Sequence, residues 1–253
     1  MRLRNLIFPP HCGACSELLP VAWKGSIPML CTDCEKRLRE EMMVQCRNCY
    51  LPMADCHCVP DNMAKRGFAA HIKLLPLSDT EHPIARSLVL HLKKSADMRY
   101  YRALAELLAP SLNAAIKARD KSFATMGKPP VTDTVIAFLP RTSLQKRRHG
   151  VDQASCLANA LSATLGISVL PLFCRTRGGL VQKSLSRHAR LLNARRSLRL
   201  MRRAKEHDLT ASRVILVDDV ITTGASMSAA AELLQARELL AVSIAFTPRV
   251  EKQ

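Results

Sequence analysis

One stretch constrains the fold more than any other. It reads Val214-Ile215-Leu216-Val217, then Asp218-Asp219, then Val220-Ile221, then Thr222-Thr223-Gly224-Ala225-Ser226. Such a run of β-branched residues and Leu has the pattern of a strand buried on both faces, as in a parallel sheet. Met227–Arg237, rich in Ala, Leu and Glu, has the composition of a helix. Strand, short polar loop and helix together form an anion cradle. The N–H groups of the loop and of the helix start converge on one spot, and the helix dipole favours negative charge there. Gly224 permits positive φ and close backbone approach, and Thr222, Thr223 and Ser226 add hydroxyl donors.

Two carboxylates beside a phosphate site need a reason, because bare ones would repel the phosphate. They make sense if they accept hydrogen bonds from a sugar diol or hold a magnesium ion nearby; a phosphorylated ribose satisfies both halves of the motif. The alternative is a buried strand ending in a solvated acidic turn. The order of residues resembles the phosphoribosyl pyrophosphate (PRPP) motif of type I phosphoribosyltransferases, with Ser226 where threonine is usual. That resemblance makes Asp218 and Asp219 the candidate catalytic pair at the ribose diol. It gives the 5-phosphate to Thr222, Thr223, Gly224, Ala225 and Ser226, and implies magnesium bound with PRPP.

The N-terminal part carries a second pattern. Cys12-x2-Cys15, Cys31-x2-Cys34, Cys46-x2-Cys49 and Cys56-x-Cys58 are four close pairs, enough for two tetrahedral zinc sites. In a chain without an export signal, metal binding by reduced thiols is a better reading than disulfides. Sequential pairing (Cys12, Cys15, Cys31, Cys34, then Cys46, Cys49, Cys56, Cys58) gives a double zinc ribbon and is favoured by the loop lengths. Interleaved pairing gives a cross-braced fold, one bound metal instead of two is a further possibility, and His57 could replace a cysteine. Four protein ligands leave no open position, so the zinc, one ion or two, is expected to be structural. About 60 residues build too small a core to fold alone, so metal supplies folding energy. Docking against the rest of the chain is the expected role, since the segment is nearly neutral and offers few candidate stacking residues, Trp23 and Tyr50 among them.

Charge is concentrated in one place. Residues 136–213 hold sixteen Lys and Arg against three Asp and Glu, which accounts for +13 of the net +17. A local block of this kind points to a polyanionic partner, either pyrophosphate or nucleic acid. From Arg175 to Lys205 there are eleven cations, no acid and no aromatic residue, so phosphate contact is a better reading than base stacking. A solvated helix face is the alternative. Candidate pyrophosphate or nucleic-acid contacts are Lys93, Arg147, Arg148, Arg190, Arg195, Arg196 and Arg199. No apolar run reaches the roughly 18 residues of a membrane span. Met1–Pro10 is too short in apolar residues for a signal peptide, so a cytoplasmic protein is expected.

Apolar spacing predicts helices over Pro83–Lys93, Tyr101–Arg119 and Ala154–Leu165. Strands are predicted over Val131–Pro140, Ser168–Phe173 and Leu239–Thr247. The expected organisation is a zinc-ribbon module at 1–60, a linker at 61–82 holding one short strand near Phe68–Leu75, and an α/β domain at 83–253. That domain is a parallel sheet flanked by helices, of the type I phosphoribosyltransferase kind.

Several stretches agree on one family. They are Leu6-Ile7-Phe8-Pro9-Pro10-His11-Cys12 with the cysteine pairs, Leu92-Lys93, Arg148-His149-Gly150-Val151-Asp152-Gln153, Arg175-Thr176, Gln182-x2-Leu185-x4-Arg190-x2-Asn193, and the PRPP loop. His149, Val151 and Asp152 stand where the family usually has Arg, Phe and Asn. The chain resembles the ComF family (ComFC- and GntX-type proteins), which joins zinc ribbons to a type I phosphoribosyltransferase domain. The resemblance implies a role in natural transformation or DNA utilisation. It also implies PRPP as ligand, single-stranded DNA as partner, and contact with DNA-uptake machinery at the inner face of the membrane without spanning it. A catalytically active phosphoribosyltransferase with an unidentified acceptor is the alternative function.

Overall fold

The computed structural model describes residues 9–19, 29–77, 83–141, 150–176 and 195–247. Its centre is a four-stranded, all-parallel sheet in the order β1 (Phe68–Pro76), β6 (Glu238–Phe246), β5 (Ser212–Ile221), β2 (Asp133–Phe138). The Val214–Val217 run lies in β5, where two neighbouring strands pair both its edges and packed layers cover both its faces. Ile215 and Val217 enter one hydrophobic cluster and Val214 and Leu216 the other, as the two-residue period of a strand requires.

Helices cover both faces. On the Ile215 side lie α3 (Pro83–Leu92), α4 (Met98–Thr125) and α5 (Gln153–Leu165), with the cysteine module and its helix α1 (Thr32–Met42) packed on them. On the Val214 side lie the short α2 (Asp61–Ala64) and α6 (Ala225–Ala231), and a two-stranded antiparallel ribbon of β3 (Phe173–Arg175) and β4 (Leu198–Leu200). This is the expected α/β architecture, a parallel sheet flanked by helices with a Cys-rich N-terminal cluster.

Three details depart from the sequence reading. The stretch read as linker supplies β1, an edge strand paired with β6 from Phe68↔Leu239 to Pro76↔Phe246. The predicted helix 227–237 stops at Ala231. Leu233 and Leu234 there switch to tighter bonds onto Ala230 and Ala231, and the Arg237 N–H is drawn to the Ser212 and Leu209 carbonyls at the entry to β6. The predicted strand 168–173 is only a single parallel bridge, Val169 to Ile136, before the chain turns into β3.

The cysteine module is fastened to the sheet domain. Glu41 of α1 accepts hydrogen bonds from the Ile84 and Ala85 N–H groups at 2.9 and 3.0 Å, satisfying orphan donors at the start of α3. The Tyr100 hydroxyl donates to the His11 carbonyl at 2.8 Å. Cys12, Leu30, Cys34 and Leu38 share one buried cluster with Leu104, Ile215 and Val242.

Candidate functional site

At the C-terminal end of β5 the chain forms a cleft of about 220 Å³. It is lined by Thr222, Thr223, Gly224, Ala225 and Ser226 together with Asp218 and Arg175. Gly224 has φ +69°, which a side chain opposes, and a Cβ there would lie 2.7 Å from Met63 Cγ and Sδ. Glycine is therefore required twice over. The helix after the loop has seven residues, so the loop and Arg175 carry more of any anion binding than a helix dipole does.

Arg175 is held on three sides. Its Nε donates to the Pro140 carbonyl at 2.7 Å, one Nη to Ser197 Oγ at 3.0 Å, and the other to Ser226 Oγ at 3.4 Å. Burial lowers its guanidinium pKa from the usual value, and Asp218 and Asp152 work against that shift. In the sequence Arg175 is one cation among eleven, and the Arg175-Thr176 pair enters the family resemblance without a role assigned to it. Only the β3–β4 pairing turns it into the cleft.

The two aspartates are not equivalent. Neighbouring residues on a strand point to opposite faces. Asp218 lines the cleft. Asp219 instead faces Arg141, whose Nη2 lies 3.7 Å from its Oδ2. The Arg141 backbone N–H also donates to Asp152 Oδ2 at 3.2 Å. Burial pushes the Asp218 carboxyl well above the ordinary carboxylate range. Asp219 adds to that shift, and Arg175 opposes it. A cationic ligand or a diol donor would favour the ionised form.

Of the other candidate contacts, Lys93 is half-buried at the end of α3 and does not line the cleft. Arg195 pairs with Glu232, which also takes Arg66 at 2.6 Å. Arg199 donates to the Arg195 and Leu198 carbonyls, while Arg196 is exposed. Arg147, Arg148, Arg190 and Trp23 lie outside the described residues.

The eight N-terminal cysteines gather in the sequential grouping: Cys12, Cys15, Cys31 and Cys34 in one tetrad, Cys46, Cys49, Cys56 and Cys58 in the other. Within each, the sulfurs lie within 4.8 Å of one another, and Cys15 and Cys31 are 3.7 Å apart. Tetrahedral zinc with bonds near 2.3 Å needs sulfurs about 3.8 Å apart, so the residues fit a structural zinc ion in each. His57 is not a member; its Nε2 lies 2.9 Å from Ser111 Oγ. His11 likewise faces the Ser16 carbonyl. Although burial opposes it, backbone N–H bonds lower the Cys12 thiol to about 7, and the same balance holds for Cys46. Burial and the neighbouring sulfurs push Cys34 and Cys58 well up. Four sulfurs this close resist full ionisation until a cation joins them.

Residues 149–249 match the family model of the phosphoribosyl transferase domain. By that match the stretch is similar to phosphoribosyl transferase domains. The match takes in β5, the 222–226 loop, Arg175 and β6, whereas β1 and β2 of the same sheet lie outside it. No curated protein matches the chain. No helix among the described residues is long and apolar enough to cross a membrane.

Proposed function

We propose that the chain binds PRPP, or a closely related phosphoribosyl ligand, at the Thr222–Ser226 cleft. The observation that carries this reading is the cleft itself: Thr222, Thr223, Gly224, Ala225 and Ser226 line one cavity together with Arg175 and Asp218. Thr222, Thr223, Gly224, Ala225 and Ser226 hold the 5-phosphate, with Arg175 as the cation beside it. Asp218 accepts from the ribose diol, and Asp219, paired with Arg141, sits behind it. Magnesium enters with PRPP; hard carboxylate oxygens together with ligand phosphates are a usual donor set for that ion.

The wider role is ComF-type, in cytoplasmic DNA utilisation during natural transformation. Single-stranded DNA meets the basic block, which includes Arg195, Arg196 and Arg199. The family motifs in the sequence and the charge of residues 136–213 support this part. Charge reversal at those three arginines is expected to weaken single-strand binding and flatten its salt dependence. A phosphoribosyltransferase acting on an unidentified acceptor is the second reading, favoured by the complete loop. Titration of wild type and Asp218→Asn with Mg-PRPP by calorimetry tests the binding site. Unchanged affinity in the variant would remove Asp218 from the diol. Pyrophosphate release in the presence of candidate acceptors separates a transferase from a binding protein.

A further inference from the structure

The second cysteine tetrad and the phosphate loop are joined by one short strap. At its tetrad end, Lys73 of β1 is 1% exposed, yet carries an ammonium group. Its Nζ donates to the Cys56 carbonyl at 2.9 Å, the Cys58 carbonyl at 3.2 Å and the His71 carbonyl at 3.1 Å. Among the described residues it makes no ion pair with a carboxylate. A buried cation needs a compensating charge nearby. A dication on four thiolates supplies one, because the assembly keeps net negative charge. The His71 N–H also donates to the His57 carbonyl at 3.2 Å, so residues 56–58 are fastened to β1.

Four residues after Cys58, the same segment reaches the phosphate loop. The Asn62 amide donates to the Thr223 carbonyl. The Asn62 carbonyl accepts from Ser228 Oγ at 3.1 Å. Met63, fully buried, fills the space behind Gly224. The loop's outer face is open to the cleft, while its inner face rests on the strap. Among the described residues the first tetrad shows no such route, since its neighbours Glu41 and Tyr100 lead to α3 and α4.

We infer that metal at Cys46, Cys49, Cys56 and Cys58 and ligand at Thr222–Ser226 are energetically coupled. Lys73 is the positioning residue at the metal end and Asn62 at the loop end. The inference rests on the reading of the loop as a PRPP site. Coupling between two binding equilibria is reciprocal: PRPP must hold the second metal more tightly, and the metal must tighten PRPP by the same factor.

The test uses the full-length, zinc-loaded protein. Zinc transfer to a chromogenic chelator is followed with and without saturating Mg-PRPP, and Mg-PRPP affinity is measured by calorimetry. In the wild type, PRPP should slow one phase of zinc release by about 5-fold or more and leave the other unchanged. Asn62→Ala should keep its full zinc content, bind PRPP about 5- to 10-fold more weakly and lose the protective effect. Lys73→Met should release zinc faster from the phase that PRPP protects. PRPP binding that leaves both phases of the wild type unchanged would overturn the coupling alone. Full protection persisting in Asn62→Ala would overturn the strap as its route. If the wild type binds no Mg-PRPP at all, both the coupling and the reading of the loop fall.

Discussion

Asp218 and Gly224 show what the site costs at single residues. A carboxyl pushed above its ordinary range binds a proton in the folded state that the unfolded chain has already released. Folding stability therefore falls as pH rises from the unfolded carboxylate value near 4 toward the raised folded one. Asp218→Asn removes that penalty. The ligand-free variant is expected to be more stable than wild type at pH 8 by on the order of 1 kcal/mol, with a smaller gap at pH 5. Thermal unfolding at the two pH values measures this, and a gap that grows toward acid would contradict the sign. Gly224→Ala should act oppositely. A side chain at φ +69° costs about 1 kcal/mol or more, and displacing Met63 adds to it. Loss in urea unfolding should accompany weaker Mg-PRPP binding, because the same residue shapes the loop.

At the level of elements, the helices and central strands were legible because their apolar periods are regular. β5 reads as a buried run because neighbours cover both its edges and layers cover both its faces. β1 reads as a strand near Phe68–Leu75 but not as part of the sheet, because it carries His71 and Lys73, both essentially buried. Those residues find partners in Ser243 and in the carbonyls of Cys56 and Cys58, which local sequence does not reveal. The 222–226 loop after β5 was legible as a small polar turn, while the place of Arg175 beside it was not, because a tertiary pairing selects it from a basic run. Asp218 and Asp219 read as a matched pair, and strand alternation separates them. The end of α3 nearest the cysteine module offers another test. Glu41 sits on α1 as an ordinary acidic residue of a solvated helix, yet it caps α3 from outside. Glu41→Ala should destabilise the protein by about 1–2 kcal/mol. Hydrogen exchange should quicken first at the Ile84 and Ala85 amides; protection retained there would mean another group serves as the cap.

The molecule as a whole is organised around contacts that cross the expected boundaries at residues 60 and 82. The 222–226 loop leans on α2, the sheet ends in β1, and the cysteine module contributes Cys12, Leu30, Cys34 and Leu38 to the core that holds Ile215 and Val242. The weight of β1 alone can be estimated. Ile72, Leu74 and Leu75 are completely buried, and each such side chain contributes about 1.5–3 kcal/mol. Together that is roughly 5–9 kcal/mol, comparable to the entire 5–15 kcal/mol stability of a typical domain. Without β1, the edge of β6 would also present unpaired N–H and C=O groups, which invite association with other chains. A fragment of residues 83–253 should therefore aggregate or unfold without a cooperative transition. A fragment of 61–253 should fold weakly, since it keeps β1 but leaves the Lys73 ammonium without the Cys56 and Cys58 carbonyls. Size-exclusion chromatography and thermal unfolding of the two fragments beside the full chain decide the matter. A monomeric, cooperatively melting 83–253 fragment would mean that the sheet domain stands alone and the module is an appendage. The ordering expected from the contacts is full chain, then 61–253, then 83–253, because each cut removes a partner that the next layer of the structure is built against.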